Sequence, residues 1–171
     1  PWNPMNFDPN GVRETYAKMF LTLWNVHKFH LDYAILDNFD YSKDFIPVSK
    51  RSALDRWILS RVSSVAENYH GQYLTWEFHK AARELENFVI NDLSNWYVRR
   101  SRRRLWDEAE SHDKRACQFT LHEILLTVSK LMAPIAPFMP DKIHFDLTGT
   151  SVHTADWPLG SDLVDKNLQI I

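Results

Sequence analysis

The chain has 171 residues, 44% of them hydrophobic, with 7 Trp, 10 Phe and 6 Tyr but only 4 Gly. This composition excludes a disordered segment and disfavours a turn-rich β protein, leaving long helices around one sizeable core. A single cysteine, Cys117, allows neither an internal disulfide nor a Cys-x-x-Cys metal pair and favours a reducing, cytoplasmic setting. No apolar run approaches the roughly 18 residues of a membrane span, and the net charge of −2 names no partner. The opening Pro1-Trp2-Asn3-Pro4 is neither a start methionine nor a signal sequence, so the chain reads as a piece of something longer.

Asp8-Pro9 opens a first helix, with Asp as cap and Pro in the first turn. Val12, Tyr16, Met19, Phe20, Leu23, Val26, Phe29 and Tyr33 then recur at spacings of three and four, predicting one amphipathic helix over roughly 9–36. Asp37 to Asp40 and Pro47 mark an irregular connection. Ser52 and Asp55 have capping spacing for a second helix, with Leu54, Trp57, Ile58, Val62, Val65 and Tyr69 inward and Gly71 as its end. Thr75 is the expected cap of a third helix, which no Gly or Pro interrupts before about Trp106. Ser111-His112-Asp113 is the expected break. A fourth helix carries Phe119, Leu121, Ile124, Leu125, Val128 and Leu131 and stops near Ala133, because Pro134 disfavours helical geometry before it. A short fifth helix over about 139–147 ends at Gly149. An extended tail follows, laid on the bundle by Val152 and Trp157. The expected fold is therefore an all-α antiparallel bundle of four main helices, a short C-terminal helix and an extended tail. It is one domain over 1–171, with its core at about 9–147 and its tail at about 148–171.

The third helix carries the feature that points to function. Phe78, Ala82, Leu85, Val89, Leu93 and Trp96 form an inward stripe, and the same spacing continues into Arg100 and Arg103. Burying unpaired guanidinium groups costs several kcal/mol each, on the order expected for buried ions. So either the helix leaves the core there or its arginines reach solvent or a ligand. With Arg99, Arg102 and Arg104 they place five positive charges in six residues, on a chain whose remainder is more acidic than the whole. Trp96, Tyr97 and Trp106 flank the run. Guanidinium groups pair with phosphates and stack on bases, and aromatic rings stack on unpaired bases, so the mixture suits an RNA loop. The run alone also fits a solvated face neutralised by Asp107, Glu108 and Glu110, or a protein-interaction bundle meeting an acidic partner. By themselves, Trp96 and Tyr97 fit core packing better than base stacking. The eight His form no His-Glu-x-x-His motif, and no metal site, Gly-rich phosphate loop or catalytic triad is expected. Cys117 reads as buried and inert.

The segment DLSNWYVRRSRRRLW over 92–106 resembles the arginine-rich helix of isoleucyl-tRNA synthetases, most closely the archaeal and eukaryotic type. Four further segments agree in order: GVRE at 11–14, LDRWILSR at 54–61, KLMAPIAPF at 130–138, and SVH with DWP between 151 and 158. The resemblance spans nearly the whole chain. It implies a helical anticodon-binding domain with no catalytic residues and no cofactor of its own. Isoleucine activation with ATP and magnesium would sit on a separate catalytic domain of the same parent chain, whose two signature motifs this chain lacks. Val48-Ser49-Lys50-Arg51 is only a faint likeness to one of them, without its leading lysine. The resemblance further implies that Arg99, Arg100, Arg102, Arg103 and Arg104 line a surface for the anticodon arm of isoleucine tRNA. Trp96 would pack behind them, Tyr97 would stack on a base, and Trp106 would flank them. Arg13 would lie near the junction with the catalytic domain, touching the tRNA stem or that domain. A non-selective RNA-binding module is the alternative for the same residues.

Overall fold

A computed structural model describes residues 7–158 except Asp44, Glu108 and Glu110. Residues 159–171 of the tail expected over about 148–171, and the acidic neighbours Glu108 and Glu110, lie outside the described residues. Among the described residues the chain forms five long helices and no strand, the expected all-α bundle.

Helix α1 runs through Pro9–Thr15, a π-helical turn at Tyr16–Phe20, and Leu21–Leu36. Asp8 caps it, its carboxylate accepting from the Asn10 and Gly11 amides. The inward assignment of Val12 and Tyr16 is corrected here: both are exposed, and Pro9–Thr15 buries nothing. The π turn resets the phase, so Met19, Leu23 and Val26, with His27 and His30, form the buried face instead. Helix α2, Ala53–Leu74, is capped by Ser52 Oγ on the Asp55 amide as its spacing predicts. It does not stop at Gly71. A lone glycine costs a helix only about 1 kcal/mol, and the helix passes through to Leu74. Thr75 is its C-cap, donating to the Gly71 and Tyr73 carbonyls, rather than the cap of the next helix. Trp76 then reverses the chain at a positive φ of 62°, and Glu77 precedes α3.

Helix α3 spans 78–106 as Phe78–Asn87, a π segment Phe88–Val98, and Arg99–Trp106. Its buried face is built on a four-residue series, Ala81, Leu85, Val89, Leu93, Tyr97, Ser101 and Leu105, with Phe88 and Val98 buried beside it. In an α-helix each step of four overshoots a 3.6-residue turn by about 40°. The wider turns of the π segment, bonded from i to i+5, rotate the stripe back onto the core. Helix α4, His112–Met132, starts on a Ser111 cap and buries all six of its expected core residues. Helix α5, Phe138–Thr148, ends where Gly149 takes a φ of 75°, the left-handed conformation a glycine C-cap supplies. Beyond it Val152 is buried, and Trp157 packs against Tyr69 and Tyr73, so the described part of the tail lies on the bundle.

The start of α2, the end of α3 and the start of α4 meet at one end of the bundle, where Arg104 bonds both Asp55 and Asp113. Helix α1 ends there too. Its C-cap Asp37 pairs with Lys114 at 2.7 Å, and the same ammonium donates to the Asp107 carbonyl at 2.7 Å.

Three histidines are buried between α1 and α4: His27, His30 and His122. Burial lowers the pKa of all three, to about 3 for His30 and about 4 for His122; for His27 the hydrogen bond to Asp146 opposes that effect without reversing it. In the unfolded chain these imidazoles take protons near pH 6.5, so below that pH the unfolded state binds more protons than the folded one. Stability should therefore be complete above about pH 6.5 and fall toward pH 4, by up to about 1.4 kcal/mol per pH unit for each fully depressed histidine. Urea midpoints measured from pH 7.5 to 4.5 check this, and replacing His30 and His122 together by Leu should flatten the dependence.

Candidate nucleic-acid interface

The rotation of α3 decides which side chains reach solvent. Arg99, Arg100, Arg102 and Arg103 are exposed. Among the described residues none of the four makes an ion pair. Asp107, expected as a neutralising neighbour, instead accepts the Ala109 amide. Trp96 is also outside, 46% exposed, with the Arg100 guanidinium 3.7 Å above its ring and Trp57 6.4 Å away. Trp106 is 55% exposed. The result is a cationic face with an indole platform already carrying one stacked guanidinium.

Two of the expected surface residues are placed inside instead. Tyr97 is fully buried, so no base can stack on it in this structure. Its hydroxyl donates to Asp55 Oδ1 at 2.6 Å and lies 3.5 Å from Cys117 Sγ. Trp96 and Tyr97 thus exchange the places that a continuous α-helical spacing gives them. Arg104 turns inward as well. It donates to both Asp55 oxygens, at 2.8 and 2.6 Å, and to Asp113, at 2.7 and 2.8 Å, leaving its side chain 15% exposed. Arg104 is an anchor rather than part of the free cationic face.

Asp55, which the sequence suggested only as a capping-box residue, is the centre of this knot. Its carboxylate is wholly buried and takes hydrogen bonds from Arg104, Tyr97 and Ser52. Burial pushes its pKa up, but the Arg104 bonds and charge and the two hydroxyl donors outweigh that and hold it below the usual carboxylate range. For Arg104 burial opposes the charge, and the bonds to Asp55 and Asp113 more than restore it. Burial raises Tyr97 well above its ordinary value, with Cys117 and Asp55 adding to the effect, and burial pushes the Cys117 thiol up to about 11. Both are neutral structural groups, as the inert reading of Cys117 requires. The signal for Asp55 was its four-residue-periodic position one turn into α2; that signal marks burial but does not name the partner.

Arg13 is exposed on Pro9–Thr15. It lies about 24 residues before Asp37, the α1 residue that meets the arginine end, or on the order of 36 Å along a helix. The structure does not bring it to the cationic face.

A family model described as the anticodon-binding domain of tRNA ligase matches residues 55–170. The chain belongs to this family of anticodon-binding domains. It is similar to the isoleucine–tRNA ligase of Porphyromonas gingivalis, 46% identical over 92% of this chain and 14% of that protein. It is also similar to that of Cytophaga hutchinsonii, 42% identical over 92% of this chain and 15% of that protein. Isoleucine–tRNA ligase 2 of Bacillus thuringiensis is 42% identical over 93% of this chain and 15% of its own length. The chain thus spans only about one-seventh of the length of these relatives.

In this anticodon-binding domain, anchoring and free arginines should separate in stability measurements. Asp55→Ala leaves the Tyr97 hydroxyl without its acceptor and Arg104 paired only with Asp113, and should cost about 3 kcal/mol. Arg102→Ala and Arg103→Ala remove exposed side chains and should stay within about 0.5 kcal/mol of the parent. Urea denaturation of the three variants checks the distinction; equal losses would contradict it.

Proposed function

We propose that this domain holds the anticodon arm of isoleucine tRNA as one part of an isoleucine–tRNA ligase. One observation carries the reading: four guanidinium groups stand on one exposed face of α3, beside an exposed indole, without a carboxylate partner among the described residues. Like charges three and four residues apart on a helix repel by a few tenths of a kcal/mol per pair, on the order of 0.2–0.5. An external polyanion relieves that repulsion and gains from the clustering. The family match and the isoleucine–tRNA ligase relatives support tRNA as that polyanion.

In this reading residues 1–171 act as a single tRNA-binding unit. Arg99, Arg100, Arg102 and Arg103 hold phosphates, and Trp96 with Trp106 offers stacking surface. Phosphate contacts set affinity and register, while base contacts supply the choice of tRNA. The ATP- and magnesium-dependent ligation belongs to a catalytic domain of the same parent chain, and the setting is the cytoplasm.

Titration of the 171-residue chain with an isoleucine-tRNA anticodon-arm hairpin, from low to physiological salt, tests the proposal. Each phosphate-contacting Arg→Ala change should reduce the magnitude of the log-affinity against log-salt slope by about one unit or less. Replacing Arg99, Arg100, Arg102 and Arg103 together should reduce it by roughly three. A slope that none of the five variants changes would show that these arginines neutralise no phosphate. Equal affinity for an unrelated tRNA hairpin would favour a non-selective binder.

A further inference from the structure

The end of the bundle opposite the Asp55 knot carries a feature that the tRNA-binding reading leaves unused. Helix α2 has 22 residues, so its last turn lies on the order of 33 Å from its first. At the turn into α3, Leu74, Trp76 and Phe78 are 69%, 72% and 38% exposed. Trp76 and Phe78 meet edge to face with centroids 5.6 Å apart, so the turn presents an aromatic surface rather than scattered side chains. The backbone is strained as well. Trp76 sits at a φ of 62°, where the Cβ of any residue but glycine is crowded. Main-chain bonds close the turn: the amides of Thr75, Trp76 and Glu77 donate to the Gly71, Tyr73 and Gln72 carbonyls. Nothing in those bonds requires a side chain, and glycine would take this conformation more easily. An indole held there and left mostly exposed gains little from the described residues. Strain kept at such a position points to a contact that compensates it.

We propose that residues 159–171 of the same chain, which lie outside the described residues, cover this surface. The inference goes beyond the tRNA-binding reading and does not depend on it. The segment starts at the rim of the patch. The Trp157 ring is 5.7 Å from Tyr69 and 6.1 Å from Tyr73, and the Tyr73 ring is 4.7 Å from Phe78. A short series of ring contacts thus leads from the start of the segment to Trp76. Thirteen residues reach about 20 Å even when coiled as a helix, enough to cross that series.

The segment also has suitable side chains. Leu159, Leu163, Val164, Leu168, Ile170 and Ile171 are apolar, and Val164, Leu168 and Ile171 have the i, i+4, i+7 spacing of one helical face. At about 100° per residue, Asp162, Asp165, Lys166 and Gln169 fall on the opposite side. The family model matches through residue 170, so the segment belongs to the same domain as the bundle. Trp157 Nε1 is buried and has no acceptor among the described residues, which leaves a donor beside the patch for a group of the segment. A second copy of the chain, or another domain of a longer protein, would also bury an apolar patch. Neither is tethered at its rim, whereas the segment is, and a short tether gives it a high effective concentration there.

Two measurements on the full 171-residue chain test the proposal. Trp76→Gly removes the indole and relieves the backbone. With the segment packed on the indole, this change should lower the urea midpoint by about 0.5 M or more. In a chain carrying Val164→Ser and Leu168→Ser, which weaken the segment's apolar face, it should lower the midpoint far less or raise it. A midpoint that Trp76→Gly raises in the unaltered chain, or lowers equally in both chains, overturns the proposal. The second measurement replaces Trp76 by the photoreactive p-benzoylphenylalanine. Irradiation should join position 76 to a peptide from 159–171, in a species that migrates as a monomer. Cross-linking to a second copy, to the bundle alone, or to nothing overturns the proposal.

Discussion

Everything on the outer face of this bundle depends on the rotational phase of α3. Seven buried residues at strict four-residue spacing cannot share one face of an unbroken α-helix, because the overshoot of about 40° per step accumulates through the series. The π segment at Phe88–Val98 absorbs it. With that correction, Tyr97, Ser101 and Leu105 continue the core stripe, and Arg99, Arg100, Arg102 and Arg103 fall outside it. Without it, Arg100 and Arg103 would follow Leu93 and Trp96 toward the core, where two unpaired charges would cost more than the helix could repay. The widened turn is therefore what lets a hydrophobic ridge and a cationic face occupy consecutive turns of one helix.

The knot around Asp55 fixes that phase at its far end. Leu105 is buried in the core, and Arg104 adds directional bonds that apolar packing lacks, tied to Asp55 and Asp113 by four hydrogen bonds between side chains. Tyr97, earlier on the same helix, donates to the same Asp55 carboxylate. Two residues on one helix thus grip a single buried acid on α2. A buried ion pair is a weak source of net stability but a strong source of orientation, since any other rotation leaves Asp55 uncompensated. The fifth arginine of the run is spent in setting the direction of the other four. Arg103 and Arg104 also lie in the last turn of α3, where positive charge interacts favourably with the helix dipole.

The fold was largely legible because its punctuation is local. Asp8, Ser52 and Ser111 cap helices where their spacing places them, and Pro134 and Gly149 fall at helix ends. Gly71 misled because a single glycine perturbs a helix by less than the packing around it contributes. The arginine cluster was visible as composition. The exchange of Trp96 and Tyr97 was not, because a period of 3.6 residues was extended through a stretch that does not follow it. Side chains that differ by one position then point in directions about 100° apart. The strict spacing of four from Ala81 to Leu105 was present in the sequence. It is a usable sign of a widened turn wherever small or apolar residues keep it for several turns. The Asp55–Arg104 pair depends on a contact across 49 residues, which no local pattern encodes.

Guanidinium groups on α3 meet a charge that every nucleotide carries, so they give affinity and register without distinguishing one RNA from another. A groove of uniform positive charge would bind the backbone anywhere along its length and let the register slip. On α3 the cationic face is bounded instead: Arg104 turns inward to Asp55 and Asp113, and the helix ends at Trp106. The Lys114 bridge between Asp37 and the Asp107 carbonyl ties that end of α3 to the end of α1, so the boundary of the cationic face is fixed by the packing of the bundle.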